Sequence, residues 1–190
     1  MEKIKIENNA FVYPMPMVLV GATVENRANF MAVAWVSRVN FNPPMIAVAL
    51  GKTHQTNEGI HQQKTFSVNI PGMESIEKVD YCGLVSGRKT DKSQIFGVFY
   101  GELTTAPMVQ ECPLCLECKL VQAVDLLSNT LFIGQIVGAY TEERYLTEGK
   151  PDILKINPFT LTMPDNRYWS VGKNMGQAWG IGKNFKGAKG

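Results

Sequence analysis

Residues 29–57 read NFMAVAWVSRVNFNPPMIAVALGKTHQTN. Two short apolar runs in this stretch, at 31–36 and 45–50, have the length and the bounded ends that are typical of β-strands. Asn42, Pro43 and Pro44 lie between them. Because proline has no N–H and cannot extend a hydrogen-bonded ladder, the chain must turn at this point. The stretch therefore predicts two strands joined by a turn that exposes their ends.

Similar runs recur along the chain and are bounded by Gly, Pro, Asn and Asp, at 17–24, 66–70, 116–127, 131–138 and 168–172. Two segments favour helices: 56–63, with Thr56 as N-cap, and 73–85, with apolar spacing at Ile76, Val79 and Leu84. Strands and helices do not alternate, and no GxGxxG motif occurs, so a Rossmann site is not supported. The pattern predicts a mostly β protein, an antiparallel sheet or barrel with a few short helices.

Composition restricts the class of protein further. The 190 residues are 45% hydrophobic and 19% charged, which fits one domain with a real core. A net charge of +2 does not indicate a nucleic-acid or membrane surface. The polar N-terminus is not a signal peptide, and no apolar run approaches the length of a membrane-spanning helix. Four cysteines without a secretion signal suggest free thiols. We expect a cytoplasmic protein that binds neither nucleic acid nor membrane.

The C-terminal end differs in composition from the rest of the chain. Residues 1–172 are expected to form the domain, and 173–190 form a Gly- and Lys-rich extension. The extension carries Trp179, Ile181 and Phe185, and a disordered tail rarely holds three large apolar side chains. We therefore expect it to pack on the body of the chain or on a partner subunit.

Polar residues gather where the two strands of the first stretch end. Ser37 and Arg38 precede the turn, and residues 52–56 follow the second strand. Hydroxyls, amides and cations beside a helix start suit a phosphate group. The alternative is that Thr53 and Thr56 only cap the helix and the rest is a solvated loop. His54 and His61 have no second metal ligand at a useful spacing, so zinc is not favoured.

Three cysteines, Cys112, Cys115 and Cys118, have tandem CxxC spacing, and Cys82 would supply a fourth thiolate to a metal or iron–sulfur site. The alternative is a strand over 114–124. Residues three apart on a strand face opposite sides, so Cys115 and Cys118 could not then share a metal. This geometry favours the strand.

Several motifs in order resemble the flavin-reductase-like family, and its flavoredoxins most closely. They are Trp35-Val36-Ser37 with Asn42-Pro43-Pro44, His54-Gln55-Thr56-Asn57, Phe66-Ser67-Val68-Asn69, Ser86-Gly87-Arg88 with Asp91-Lys92, and Tyr168-Trp169. The resemblance spans nearly the whole chain. It implies an FMN-binding split β-barrel that works as a homodimer with the flavin near the subunit interface.

The resemblance also implies the residues that contact FMN, with none acting as a catalytic residue or metal ligand. Asn29 and the backbone of residues 34–37 would face the ring, Asn69 would lie by the ribityl chain or ring edge, and the others would meet the phosphate. The full set is Asn29, Ala34, Trp35, Val36, Ser37, Thr53, His54, Gln55, Thr56, Asn69, Ser86, Arg88 and Lys92. Cys82 either approaches the flavin or is a core residue, and 127–131 is a further candidate for the ring.

The implied function is electron transfer through FMN, either as a carrier between redox proteins or as an NAD(P)H-dependent reductase of flavins or ferric chelates. Two alternatives remain at this point: a non-catalytic FMN-binding protein, and an enzyme of the pyridoxamine-phosphate-oxidase type. The last would need a second phosphate site with additional basic residues, and the sequence offers none.

Overall fold

The computed structural model describes residues 1–183 and 185. The strands within this part of the chain, numbered in chain order, are β1 (Met15–Pro16), β2 (Val18–Val24), β3 (Arg27–Val33), β4 (Val36–Asn40), β5 (Met45–Gly51), β6 (Thr65–Ile70), β7 (Val98–Phe99), β8 (Met108–Val109), β9 (Leu114–Asp125), β10 (Asn129–Thr141), β11 (Leu146–Thr147), β12 (Lys150–Pro151), β13 (Phe159–Thr162) and β14 (Arg167–Ser170). The helices are α1 (Gln55–Gln63), α2 (Ile76–Leu84) and α3 (Ile153–Ile156).

Seven strands form the main antiparallel sheet in the order β3-β2-β6-β9-β10-β5-β4. Its two edge strands, β3 and β4, are consecutive in the chain and only Ala34 and Trp35 separate them. The sheet must therefore curl until its edges approach, as a barrel does. A smaller sheet of β1, β13 and β14 lies outside this order. The prediction of a mostly β barrel with a few short helices is confirmed.

Side chains of the main sheet form two apolar cores, one on each face. Val20, Val48 and Phe132 belong to the first core, together with Ile60 of α1. Leu19, the neighbour of Val20, belongs to the second core, which α2 covers. This alternation is the period-2 pattern of a strand that is buried on both faces. Helices α1 and α2 consequently pack on the sheet, and both contact β3.

The apolar run at 31–36 is not one strand, as the sequence predicts, but parts of two. The chain leaves β3 after Val33 and enters β4 at Val36, at the other edge of the sheet. Between them, the carbonyl of Trp35 accepts a hydrogen bond from the N–H of Ala49 at 3.0 Å. The break occurs because the chain must cross between the edges of the curled sheet, a long-range constraint that the local pattern does not contain.

The helix predictions need small corrections. Helix α1 begins at Gln55 and its N-cap is His54, so Thr56 is not the cap. The segment predicted as one helix over 73–85 is a 3₁₀ turn at Met73–Ser75 followed by α2. The final strand is β14, which ends at Ser170. None of the described helices is both long and apolar enough to cross a membrane.

The described part of the predicted extension is exposed in the single chain. Met175, Trp179, Ile181 and Phe185 all lie open to solvent. Asn184 and residues 186–190, which complete the extension, lie outside the described residues.

Candidate functional site

A cavity of about 240 Å³ lies between β3, the start of α1 and the end of α2. Strand β3 and the two helices supply eight of its fourteen lining residues, and the segments that follow β5 and α2 supply the other six. Its lining residues are Asn29, Met31, Ala32, Thr53, His54, Gln55, Thr56, Cys82, Gly83, Leu84, Val85, Ser86, Gly87 and Lys92. We call this space the polar cavity.

Lys92 is the one Lys or Arg side chain among the described residues that line the polar cavity. Only 4% of its surface is exposed, and among the described residues no carboxylate lies within ion-pair distance of its ammonium group. Its Nζ donates a hydrogen bond to the carbonyl oxygen of Cys82 at 2.7 Å. Burial lowers the pKa of Lys92, and the nearby Cys82 thiol partly opposes that shift. A buried cation without a counter-charge attracts an anion into the cavity.

The first turn of α1 also faces the polar cavity. No side chain caps this helix, and the N–H groups of Gln55 and Thr56 have no earlier carbonyl within the helix to bond. Such a helix start attracts anions through its free N–H groups and its dipole. The polar cavity therefore combines a cation with backbone donors.

Thr56 is buried, and its Oγ1 accepts a hydrogen bond from Nδ2 of Asn29 at 2.8 Å. Because this hydroxyl acts as the acceptor for Asn29, its own hydrogen remains available to donate. The Asn29–Thr56 bond therefore orients Thr56 as a donor and ties β3 to the start of α1.

His54 lies at the boundary of the polar cavity with a second space. Its Nδ1 is 3.1 Å from the carbonyl oxygen of Gly51. A carbonyl only accepts, so this contact is a hydrogen bond when Nδ1 carries the proton, which leaves Nε2 as an acceptor in the neutral ring. The bond holds the imidazole against the end of β5.

The second space, of about 480 Å³, has a mainly apolar lining. It shares Met31, Ala32 and His54 with the polar cavity, so the two spaces are adjacent. We call it the apolar trough. Its lining residues are Met17, Met31, Ala32, Val33, Ala34, Trp35, Ala49, Gly51, His54, Ser128, Asn129, Leu161, Met163 and Tyr168. An elongated ligand with an anionic end and an apolar body matches this shape.

A third space, the apolar groove, has a volume of about 690 Å³ and shares Ala34, Trp35 and Ala49 with the trough. One of its walls is formed by Ala10, Phe11, Val12, Pro14, Met15 and Pro16. Its remaining lining residues are Ala34, Trp35, Val36, Ser37, Val39, Ala47, Ala49 and Leu131.

The structure brings together most of the residues that the sequence predicts for the site. Those that line the polar cavity are Asn29, Thr53, His54, Gln55, Thr56, Ser86 and Lys92. Ala34 and Trp35 line the trough, whereas Val36 and Ser37 line only the groove. Ser128 and Asn129, from the segment 127–131, line the trough of their own chain.

Asn69 lies away from these three spaces in this structure. Its side chain is fully buried and lines none of the three spaces. Its Nδ2 donates to Leu19 O and Ser67 Oγ, and its Oδ1 accepts from the N–H of Val109. These bonds join β2, β6 and β8, so Asn69 is a structural residue of the barrel.

Arg88 also lies away from the lining of the polar cavity. Its guanidinium forms an ion pair with Glu58 of α1, while Ser86 and Gly87 beside it do line the cavity. This partner lies 30 positions away in the sequence, where no local pattern indicates it. In this structure Arg88 therefore holds the loop against α1.

Sequence reasoning missed Gly87 and the β3 residues Met31 and Ala32. A Cβ at Gly87 would come within 2.4 Å of Asn29 Oδ1 and 2.5 Å of Gln55 Oε1. The Ser86-Gly87-Arg88 motif contains a signal for this position of Gly87, because a glycine allows a loop to approach other groups closely. The β3 residues carry no comparable signal.

The cysteines follow the strand prediction. Cys115 and Cys118 lie on β9, and they belong to the two different cores on opposite faces of the sheet. Cys82 both lines the polar cavity and packs in the second core. Burial raises the pKa of Cys115 and of Cys118 to about 12. Among the residues that the structure describes, no three His, Cys, Asp or Glu side chains form a group that could hold a metal.

Fold and site together define a β-barrel protein with an anion-attracting cavity beside an apolar trough. The chain belongs to the flavin reductase like domain family, whose model matches residues 10–168. This confirms the resemblance found in the sequence.

Two solved structures and one relative illustrate the range of similarity. Flavoredoxin from Methanosarcina acetivorans is 57% identical with a TM-score of 0.95, and the match covers 96% of this chain and 98% of that one. Flavoredoxin of Desulfovibrio vulgaris (Miyazaki F) is 34% identical with a TM-score of 0.86, covering 95% and 100%. A ferric-chelate reductase (NAD(P)H) from Archaeoglobus fulgidus is 28% identical over 107 residues, which is 55% of this chain and 62% of that protein.

Proposed function

We propose that this chain binds FMN and transfers electrons through it. The observation that carries the proposal is the position of Lys92, a buried cation without an ion-pair partner in the described chain. It lines the polar cavity, and the apolar trough lies directly beside that cavity. FMN has the matching form, with a phosphate of about two negative charges at one end and a flat, mostly apolar ring at the other. The donors and the apolar lining present here therefore fit this group.

At the polar end, three kinds of donor would hold the phosphate. Lys92 supplies the positive charge, the first turn of α1 supplies free N–H groups, and Thr56 supplies a hydroxyl hydrogen. Thr53 and Ser86 add hydroxyls at the rim. These residues bind and orient, and none of them needs to move a proton.

At the apolar end, the chain around Ala34 and Trp35 would face the ring, with Met31 and Tyr168 elsewhere in the same trough. Trp35 is about half exposed, so this wall is open to solvent or to a partner. When bound, FMN supplies the redox chemistry, and the protein supplies binding, orientation and shielding.

Similarity to the two flavoredoxins favours an electron carrier that exchanges electrons with redox proteins. A second candidate is an NAD(P)H-dependent reductase, which the family and the ferric-chelate reductase relative favour. An oxidase with a phosphorylated substrate is less well supported, because the described residues lining the trough and groove include no Lys or Arg for a second phosphate.

A homodimer is part of this proposal. The described chain exposes Trp35, Val39 and Phe41 near one edge of the barrel, a cluster that suits an interface. In sedimentation velocity we expect a species of about twice 21.1 kDa. A monomer at micromolar concentration would contradict the dimer without contradicting FMN binding.

The purified protein, loaded with FMN, should first be separated from free flavin and examined by visible absorption. Retention of about one FMN per chain is expected, and failure to retain any would overturn the proposal. NADH and NADPH are then added without oxygen. Bleaching by a nucleotide at a useful rate identifies a reductase, whereas bleaching only by dithionite or a reduced redox protein identifies a carrier.

A further inference from the structure

The segment after β14, residues 171–183 and 185, is here called the C-terminal arm. Four large apolar side chains of the arm, those of Met175, Trp179, Ile181 and Phe185, are between 73% and 94% exposed. Surface apolar residues are common singly, but a run of four on one projecting segment marks an interaction surface. The body of its own chain does not cover them.

The arm nevertheless has a defined local structure. The carbonyl of Gln177 accepts hydrogen bonds from the N–H groups of Gly180 and Ile181, at 3.1 and 3.0 Å. Trp179 lies within this turn, between Gln177 and Gly180, and its φ of 58° is in the left-handed region that a bulky side chain disfavours. Such a conformation persists when surrounding contacts hold it. With Trp179 94% exposed, those contacts are missing from the described part of the single chain.

The apolar groove is the surface with the complementary chemistry. Trp35 and Val39 are about half exposed at its lining, and no Lys, Arg, Asp or Glu is among the described residues that line it. Its volume of about 690 Å³ lies within the usual range of ligand pockets, and such a volume can hold several side chains. In the single chain the groove is unfilled and the apolar side chains of the arm are exposed to solvent.

We propose that the C-terminal arm of one chain lies in the apolar groove of a second copy, with Trp179 and Phe185 as its anchors. A two-fold axis makes the exchange reciprocal, so both arms and both grooves are covered at once. The 15 positions of the arm from Val171 to Phe185 can span up to about 50 Å when extended.

The area involved supports a stable pair. Each large aromatic side chain buries about 150–250 Å², so the four anchors of two arms bury about 600–1,000 Å² and cover a similar area of the grooves. A stable protein–protein interface buries about 1,200–2,000 Å² in total. Arm exchange alone therefore accounts for an interface of ordinary size.

The exchange would also complete the flavin site, a consequence that rests on the proposed function. Groove and trough share Ala34, Trp35 and Ala49, so an arm in the groove would lie beside the residues that are proposed to face the ring. The second copy would thereby shield and fix Trp35.

A disulfide test in the full-length protein decides the matter. Trp179→Cys is combined with Val39→Cys, both exposed positions, and the variant is oxidised and run on a non-reducing gel. We expect a covalent dimer of about twice 21.1 kDa. The matched control combines Trp179→Cys with Ile153→Cys, which is as exposed as Val39 but does not line the groove. On the gel this control should run as a monomer without a covalent link, as should each single variant and the wild type, whose four cysteines are buried.

A fast-migrating monomer with an internal disulfide would overturn the proposal, since the arm would then fold on its own chain. The absence of any disulfide between positions 39 and 179 would overturn the proposal as well. The proposal would also fail if the Trp179→Cys single variant formed a covalent dimer to the same extent. The gel needs no cofactor, so its result is independent of whether the protein binds FMN.

Discussion

Lys92 donates from Nζ to the carbonyl oxygen of Cys82 at 2.7 Å. Cys82 lies in the last turn of α2, where carbonyl groups have no N–H partner within the helix and where the helix dipole favours a cation. This contact explains how the barrel retains a buried ammonium group. Lys92 has two further N–H groups, and these remain available for an anion in the polar cavity.

Replacing Lys92 with Met should weaken FMN binding by about ten- to a hundred-fold, because charge-assisted hydrogen bonds contribute about 1.5–3 kcal/mol. The measurement is a titration followed by flavin fluorescence. Riboflavin is the control ligand, since it has the ring but no phosphate, and its affinity should be nearly unchanged. Equal losses for both ligands would place Lys92 at the ring and contradict the phosphate assignment.

FMN affinity should fall at alkaline pH in a way that depends on Lys92. Binding favours the protonated ammonium, and burial lowers the pKa of the free protein's Lys92. The affinity is therefore full below that lowered pKa and decreases as the pH rises through it, by up to about ten-fold per pH unit. This decrease begins at a lower pH than for an exposed lysine. FMN titrations over the alkaline range should show this decrease in the wild type and not in Lys92→Met. Identical pH profiles of the two proteins would rule out a role of Lys92 in the pH dependence.

Thr56→Val should reduce both stability and FMN affinity. The valine keeps the shape but leaves Asn29 Nδ2 without its buried acceptor, at a cost of about 1–3 kcal/mol in the free energy of unfolding. It also removes a hydroxyl donor from the cavity, so affinity should fall at least about ten-fold. Thr56→Ser, which retains the hydroxyl, is the matched control for both measurements. If Ser and Val variants behave alike, the hydroxyl has neither role.

Gly87→Ala should disturb the polar cavity. The new Cβ would lie 2.4 Å from Asn29 Oδ1, and Asn29 is buried and tied to Thr56, so it cannot easily move. Overpacking of this kind costs about 1–3 kcal/mol. Denaturant unfolding of the cofactor-free protein measures it, with Gly83→Ala of α2 as control, because its Cβ meets only Ala32 at 3.5 Å. Equal stability of the two variants would contradict the close approach.

The cysteines should be unreactive and dispensable for the flavin. All four are buried, and burial raises the pKa of Cys118 to about 12, so little thiolate exists near neutral pH. A colorimetric thiol reagent should detect almost none of them in the folded protein and four after denaturation. Serine at 112, 115 and 118 should leave the FMN content unchanged, although a lower unfolding midpoint is expected. Loss of a bound metal together with FMN would instead support a metal or iron–sulfur site at these cysteines.

Two residues predicted to contact FMN have other partners in this structure, for a common reason. Asn69 belongs to a motif that resembles a flavin contact, yet its side chain joins three strands, one of which is 40 residues away in the chain. Arg88 is a plausible phosphate ligand by type, yet it pairs with Glu58. In both cases the partner is brought close by the fold and not by neighbouring sequence.

The sequence by itself determined most of the strands, the turn at Pro43-Pro44 and the opposite faces of Cys115 and Cys118, because period-2 alternation and missing proline N–H groups act over a few residues. It also determined the family, through several short motifs in the same order along the chain. The tertiary structure alone decided where polar groups point. Thr56 is a buried donor because β3 brings Asn29 to it, and Lys92 is a buried cation because α2 ends beside it. Hydrogen bonds and burial of this kind depend on distances in space between residues far apart in the chain, which no local pattern encodes.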